Sequence, residues 1–78
     1  MKRKIVIYTT PNCMQCQFTK KYLDEHHIPY EIRDVSAKEE YRREVLELGF
    51  QAVPVVLIDG QEPFYGFRPE KLATLVKE

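Results

Sequence analysis

The chain is 78 residues long, 44% hydrophobic and 31% charged, with 12 basic residues balanced by 12 acidic ones. That length holds one small domain, taken as residues 1–78, and the composition excludes a disordered chain, which is poor in apolar residues and far from neutral. Neutrality also excludes a strongly basic nucleic-acid binder, because no excess positive charge drives phosphate contacts.

The start, Met1-Lys2-Arg3-Lys4, has the basic character of a signal-peptide lead. The apolar run behind it ends at Tyr8, whereas a signal needs about 7–15 apolar residues and a membrane span about 20. No membrane segment is expected, and a cytoplasmic, reducing location follows. Lys4 to Tyr8 is apolar and β-branched, which predicts a strand buried on both faces. From Asn12 to about His26 the pattern is helical: Met14, Phe18 and Tyr22 form an apolar stripe, with Lys20, Lys21, Asp24 and Glu25 off it. Pro11 or Asn12 opens this helix and Pro29 ends it. Tyr30 to Val35 alternates as a second strand. Ser36 then caps a second helix, with Glu39 completing a capping box and Gly49 at its far end. Tyr41, Val45 and Leu48 form its apolar stripe, and Glu39 and Arg43 are spaced for a weak ion pair on its solvated face. Val53 to Ile58 is a third strand, Asp59-Gly60 a hairpin turn, and Gln61 to Tyr65 a short edge strand on which Pro63 is tolerated. Pro69 opens a last helix that runs to Glu78, with Leu72, Leu75 and Val76 inward. The order β-α-β-α-β-β-α predicts an α/β fold with a four-stranded mixed sheet flanked by helices. Its first crossover is parallel and right-handed.

The two cysteines, Cys13 and Cys16, carry the chemistry. A bridge between them would enclose two residues and constrain the unfolded chain little, so a structural disulfide is a poor reading. A Cys-x-x-Cys in a reducing compartment points to redox chemistry or to half a metal site. Cys13 stands at a helix start, where unpaired N–H groups and the positive dipole end favour the thiolate. Such settings lower a thiol pKa from about 8.5 into a range of roughly 3.5–7.5. Cys16 lies nearly one turn deeper and within reach. Cys13 is therefore the attacking thiol and Cys16 the resolving one. Zinc is the alternative, but His26 and His27 are adjacent on a helix and point about 100° apart, which suits no Cys₂His₂ spacing. No metal site is assigned. Val53-Pro54 is read as lying opposite the Cys-x-x-Cys turn, where a cis peptide would turn the Val53 backbone outward to pair with an extended chain. Gly66 would let a partner backbone approach closely. Phe67 is open between core and surface, and Arg68 between binding a carboxylate and standing in solvent.

Tyr8-Thr9-Thr10-Pro11-Asn12-Cys13-Met14-Gln15-Cys16, then Ala52-Val53-Pro54-Val55-Val56, then Gly66-Phe67-Arg68-Pro69, together resemble the glutaredoxin family, and within it the NrdH-redoxins. The resemblance spans essentially the whole chain. It implies a glutaredoxin-like thioredoxin fold with Val53-Pro54 in the cis form. It implies a dithiol electron carrier with no bound cofactor beyond the redox-active Cys13–Cys16 disulfide. Thioredoxin reductase would be the electron source and class Ib ribonucleotide reductase the acceptor. The family's nucleophile maps onto Cys13 and its resolving thiol onto Cys16. Thr10, Pro11, Met14, Gln15, Val53, Pro54, Gly66, Phe67 and Arg68 would meet the partner. Glutathione-using glutaredoxins usually carry a basic residue where this chain has Thr10, and a Gly-Gly-Cys/Ser-Asp segment where it has Tyr65-Gly66-Phe67-Arg68. Without those groups glutathione loses charge-assisted partners worth about 1.5–3 kcal/mol each, so tight glutathione use is not expected. NrdH-redoxins often carry Trp-Ser before Gly-Phe-Arg-Pro, where this chain has Phe64-Tyr65. A glutathione-dependent glutaredoxin and a zinc-binding or redox-sensing module remain the alternatives, and a monomer is expected.

Overall fold

The structure, a computed structural model, describes residues 4–76. The expectations for Met1-Lys2-Arg3 and for a helix reaching Glu78 lie outside them. The elements run β1 (Ile5–Thr9), α1 (Met14–Glu25), β2 (Glu31–Asp34), α2 (Glu39–Glu47), β3 (Val55–Ile58), β4 (Phe64–Tyr65) and α3 (Pro69–Val76). They build one four-stranded sheet in the order β2-β1-β3-β4. β1 and β2 are parallel, while β3 runs antiparallel to both β1 and β4. This is the thioredoxin-like arrangement expected from the sequence.

Every residue of β1 is buried because β1 is central and both of its faces are covered. Ile5 and Ile7 face one way, joining Val56, Ile58 and Phe64 under Leu23 of α1 and Leu72 of α3. Val6 and Tyr8 face the other way, joining Val55 under Val45 of α2. Two helices thus cover one face and one covers the other. Leu23 and Leu72 are wholly buried, and each contributes about 1.5–3 kcal/mol by leaving water.

Several local readings need correction. Helix α1 starts at Met14 rather than Asn12, with Cys13 as its cap. Its sheet-facing residues are Cys16, Thr19 and Leu23, while Met14 and Phe18 are exposed. At about 100° per residue, positions two apart lie nearly opposite, so the stripe through Met14 and Phe18 faces away from the sheet. The chain leaves α1 before Pro29. His27 takes a left-handed φ of 57°, and the His27 and Ile28 N–H groups donate to the Asp24 and Leu23 carbonyls, which closes the helix end.

Ser36 does not cap α2. Its N–H and hydroxyl both donate to Asp34 Oδ1, at 2.8 and 2.6 Å, so Asp34 rather than the helix claims it. The Ser36 hydroxyl and then its N–H hold the Asp34 carboxyl below the usual carboxylate range. The cap falls on Lys38, with no side-chain bond, and α2 begins at Glu39. Gly49 at φ 95° ends α2 as expected: its N–H and that of Phe50 donate to the Leu46 and Val45 carbonyls. The third strand is shorter than expected and starts at Val55, after the buried, cis-linked Pro54. The edge strand is two residues long, and Pro63 lies just outside it. Val76 is exposed, not inward.

Among the described residues Glu39 and Arg43 form no ion pair. The salt link on this side instead ties α2 to the sheet. Tyr8 is buried and its hydroxyl donates to Glu44 Oε1 at 2.8 Å, and Arg33 of β2 donates to the same oxygen at 2.8 Å. Arg33 also pairs with Glu31 and lies over the Tyr41 ring. Burial and then the bond to Glu44 push the Tyr8 hydroxyl above its ordinary pKa.

Glu44→Ala would strip the buried Tyr8 hydroxyl of its acceptor and Arg33 of a partner. Urea titration should show a loss of about 1.5–3 kcal/mol, the range for a lost bond to a charged group. Tyr30 supplies a pH prediction. Partial burial, and then donation to Asp24 at 2.9 Å, push its hydroxyl up to about 12 from 10.0. Because the folded pKa is raised, the stabilisation is complete below pH 10. It fades between about pH 10 and 12, where the unfolded chain ionises first. Tyrosinate absorbance in Tyr30→Phe should lose a late-titrating contribution relative to the parent, while the raised Tyr8 remains, together with a smaller stability loss over that interval.

Candidate redox site

The strand register gathers three segments at one end of the sheet. Tyr8 lies opposite Val55, so the loop leaving β1 and the loop entering β3 emerge side by side. Val55 in turn lies opposite Tyr65, which brings the end of β4 to the same place. Cys13-Met14-Gln15-Cys16, Val53-Pro54 and Gly66-Phe67 are therefore neighbours in space while spread over the sequence.

Cys13 and Cys16 are joined by a disulfide with their Cα atoms 5.2 Å apart. Cys13 has extended backbone angles, φ −99° and ψ 111°, as a residue in the N-cap position does. Its Sγ accepts the Cys16 N–H at 3.1 Å. The sulfur thus takes the place that a Ser or Asp oxygen usually fills. Cys13 is half-buried, whereas Cys16 is fully buried beneath the helix. The Cys13 end of the disulfide thus lies nearer solvent and the Cys16 end is enclosed. No acidic residue stands in the first turn of α1, so nothing there offsets the positive end of the helix.

Val53 is half-buried, and the peptide to Pro54 is cis. Among the described residues neither the N–H nor the carbonyl of Val53 makes a hydrogen bond. Both are groups that an extended chain can pair with. Gly66 is buried at φ 88°, and its N–H donates to the Pro54 carbonyl at 2.8 Å. Phe67 packs against the core from the side, with its ring 6.0 Å from Phe18 and 6.3 Å from Tyr22. Its N–H donates to Gln15 Oε1 at 3.1 Å. Thr10 is half-buried and Pro11 exposed. Arg68 is exposed, its carbonyl accepts the Leu72 N–H at the mouth of α3, and its side chain stands 3.6 Å from Glu70, a pairing of small energetic worth. A cavity of about 320 Å³ opens beside Val53, lined by Thr10 and Gln51 among others, with Arg42 as its only charged residue.

Three participants were missed in the sequence. Thr19 is wholly buried and its hydroxyl donates to the Gln15 carbonyl at 2.9 Å. Its place three residues after Cys16, on the sheet-facing side, is the signal that marks it. Phe18 and Tyr22 both flank the Phe67 ring, a contact that the apolar stripe of α1 does not reveal, although Tyr22 also packs against the core as that stripe implies. No group of three or more His, Cys, Asp or Glu side chains gathers for a metal among the described residues. His26 and His27 lie at the end of α1 remote from the cysteines.

Residues 5–62 match the family model described as Glutaredoxin. The chain is 41% identical over 71 residues to the glutaredoxin-like protein NrdH of Lactococcus lactis subsp. lactis, covering 91% of this chain and 97% of that one. Among solved structures, the glutaredoxin-like protein NrdH-redoxin from Escherichia coli, described as having a thioredoxin-like activity profile, superposes with a TM-score of 0.85 at 32% identity, over 92% of this chain and 93% of that one. The thioredoxin-like protein BC3987 superposes with a TM-score of 0.83 at 36% identity, over 91% and 97% of the two chains.

In the reduced protein the cap geometry favours charge on Cys13. Thiolate absorbance followed against pH should show Cys13 ionising below the ordinary thiol value of about 8.5. An acid placed beside it, in Met14→Glu, should shift that transition upward.

Proposed function

Since the chain belongs to the glutaredoxin family of thiol–disulfide oxidoreductases, as an NrdH-like member of it, we propose that it carries electrons from thioredoxin reductase to class Ib ribonucleotide reductase. The observation that carries this reading is the asymmetric cysteine pair: an accessible sulfur that caps a helix, bonded to a buried one. In the reduced protein the Cys13 thiolate attacks one sulfur of a client disulfide. A Cys13–client bond forms, the client S–S bond breaks, and the other client sulfur leaves as a thiolate. Cys16 then loses its proton and attacks Cys13 Sγ. The Cys13–Cys16 disulfide forms, the mixed disulfide breaks, and the second client sulfur departs. Two electrons pass to the client, and two protons complete its thiols. The reductase returns the carrier to its dithiol form by the reverse sequence.

The client approaches as an extended chain whose backbone pairs with the free N–H and carbonyl of Val53. Exposed Met14, next to Cys13 in the chain, and exposed Phe18, beside Phe67, supply apolar contact. The domain acts as a cytoplasmic monomer, because a carrier that meets reductase and client through one surface gains from brief, small interfaces.

A glutathione-dependent reading is favoured by one observation. The cavity beside Val53 has a single charged residue, Arg42, and would suit a small thiol peptide bearing carboxylates. Coupled NADPH consumption separates the two. Turnover with thioredoxin reductase alone is expected; turnover only with glutathione and glutathione reductase would replace the first reading with the second.

Substitution tests the chemistry itself. Cys13→Ser should abolish disulfide reduction. Cys16→Ser should accumulate a mixed disulfide, visible by intact mass, and undiminished turnover in that variant would sink the two-cysteine mechanism.

A further inference from the structure

Gln15 lies between the two cysteines in sequence and is exposed, yet its side chain is not free. Its Oε1 accepts the Phe67 N–H at 3.1 Å, across 52 residues of sequence. Its own carbonyl is held by the buried Thr19 hydroxyl. The seat it occupies is also shaped by what is missing. A Cβ on Gly66 would stand 3.1 Å from Gln15 Oε1, a tight approach that the amide would have to yield to, and Gly66 has a φ of 88° that other residues rarely adopt. Gly66 in turn donates to the Pro54 carbonyl. A hydrogen-bonded path therefore runs from the Cys-x-x-Cys turn through Gln15 to Gly66-Phe67 and on to Val53-Pro54. The step from the Cys-x-x-Cys turn to the Gly66-Phe67 segment is made by the Gln15 side-chain amide.

We infer that Gln15 is a positioning residue: it holds the Gly66-Phe67 segment against the redox helix and so sets where a disulfide-bearing protein chain docks over Cys13. The segment begins where β4, only two residues long, ends, so the sheet alone anchors it weakly. Phe67 presents its ring beside Phe18 and Tyr22, and that placement depends on where its backbone is tied. Releasing the tie leaves Cys13 and its cap intact and unsettles the apolar wall beside it. Small disulfides, which touch only the sulfur, should be little affected by that wall, whereas a folded client must fit it.

The inference rests on the dithiol reading, and the test separates the two. Pre-reduced protein is mixed under single-turnover conditions with 5,5′-dithiobis(2-nitrobenzoate), a small probe of thiol reactivity, and with insulin, a protein disulfide. In Gln15→Met the insulin rate should fall about fivefold more than the small-disulfide rate, the change corresponding to one net hydrogen bond. Gln15→Glu keeps an acceptor for the Phe67 N–H. It should restore the ratio of the two rates to within about twofold of the parent, even where its charge beside the thiolate slows both reactions. Gly66→Ala, which crowds the same oxygen, should lower the ratio as well, and the double variant should be no worse than the poorer single one. Equal loss of both rates in Gln15→Met, or an unchanged ratio, overturns the inference. The parent offers a check that needs no variant: its Phe67 amide should exchange slowly with solvent, and exchange at the unprotected rate overturns it too. Absence of reaction between the parent and either probe would instead overturn the dithiol reading.

Discussion

The Cys13 sulfur accepts the Cys16 N–H in the first turn of α1, so the atom that caps the helix is also the atom proposed to react. Most helix caps are oxygens whose only task is to satisfy the first turn. A neutral thiol accepts weakly, whereas a thiolate accepts strongly, so the same bond that closes the helix favours the charged, nucleophilic form. A helix that spends its cap in this way has to be anchored elsewhere. Helix α1 is held by Leu23 and Thr19 against the sheet and closed at its far end by the turn through His27. None of these anchors involves either sulfur.

The sheet supplies the other half of the site. Because β1 and β3 are central, antiparallel neighbours, the end of one and the start of the other meet at a single edge. The hairpin that follows returns Gly66 to that edge, and its tightness comes from Asp59-Gly60, where Gly60 has φ 84° and the Gln61 N–H donates back to the Ile58 carbonyl. Loops that are distant in sequence are placed by strands buried on both faces, which cannot shift register without exposing Ile7 or Val56. The rigid part of the molecule is thus the part that fixes the relative position of the disulfide and the Val53-Pro54 backbone.

Element order, strand pairing and the pairing of the two cysteines at the head of α1 were legible in the sequence because each rests on a local signal. A β-branched run, a helix start after Pro11-Asn12, the Asp59-Gly60 turn and Pro69 at a helix mouth all act within a few residues. What was not legible required long-range knowledge. Periodicity showed that α1 carries a stripe through Met14 and Phe18 but not which side of the helix meets the sheet, and Thr19, a polar residue, lies on the buried side. Ser36 offered a capping box, and Asp34 two residues earlier took its hydroxyl. Glu44 looked like one more solvated charge on α2, since nothing local ties it to Tyr8, 36 residues away. Gln15 could be placed near a partner by its neighbours, but its bond to Phe67 could not be read from spacing.

The three helices treat their N-termini differently, and the difference follows from the chemistry. Helix α2 begins with Glu39 and Glu40, and α3 has Glu70 in its first turn. Each places a carboxylate where the dipole favours it, an arrangement that contributes about 0.3–1 kcal/mol per charge at a surface. Helix α1 has no acid in that position. An Asp or Glu at Met14 or Gln15 would add the same local stability, but it would stand beside Cys13 and repel the thiolate. The charge that belongs at the head of α1 is the one that forms on Cys13 during reduction. Leaving the place to sulfur gives up a small, constant stabilisation of the helix in exchange for an anion that is stabilised only when the carrier is ready to react.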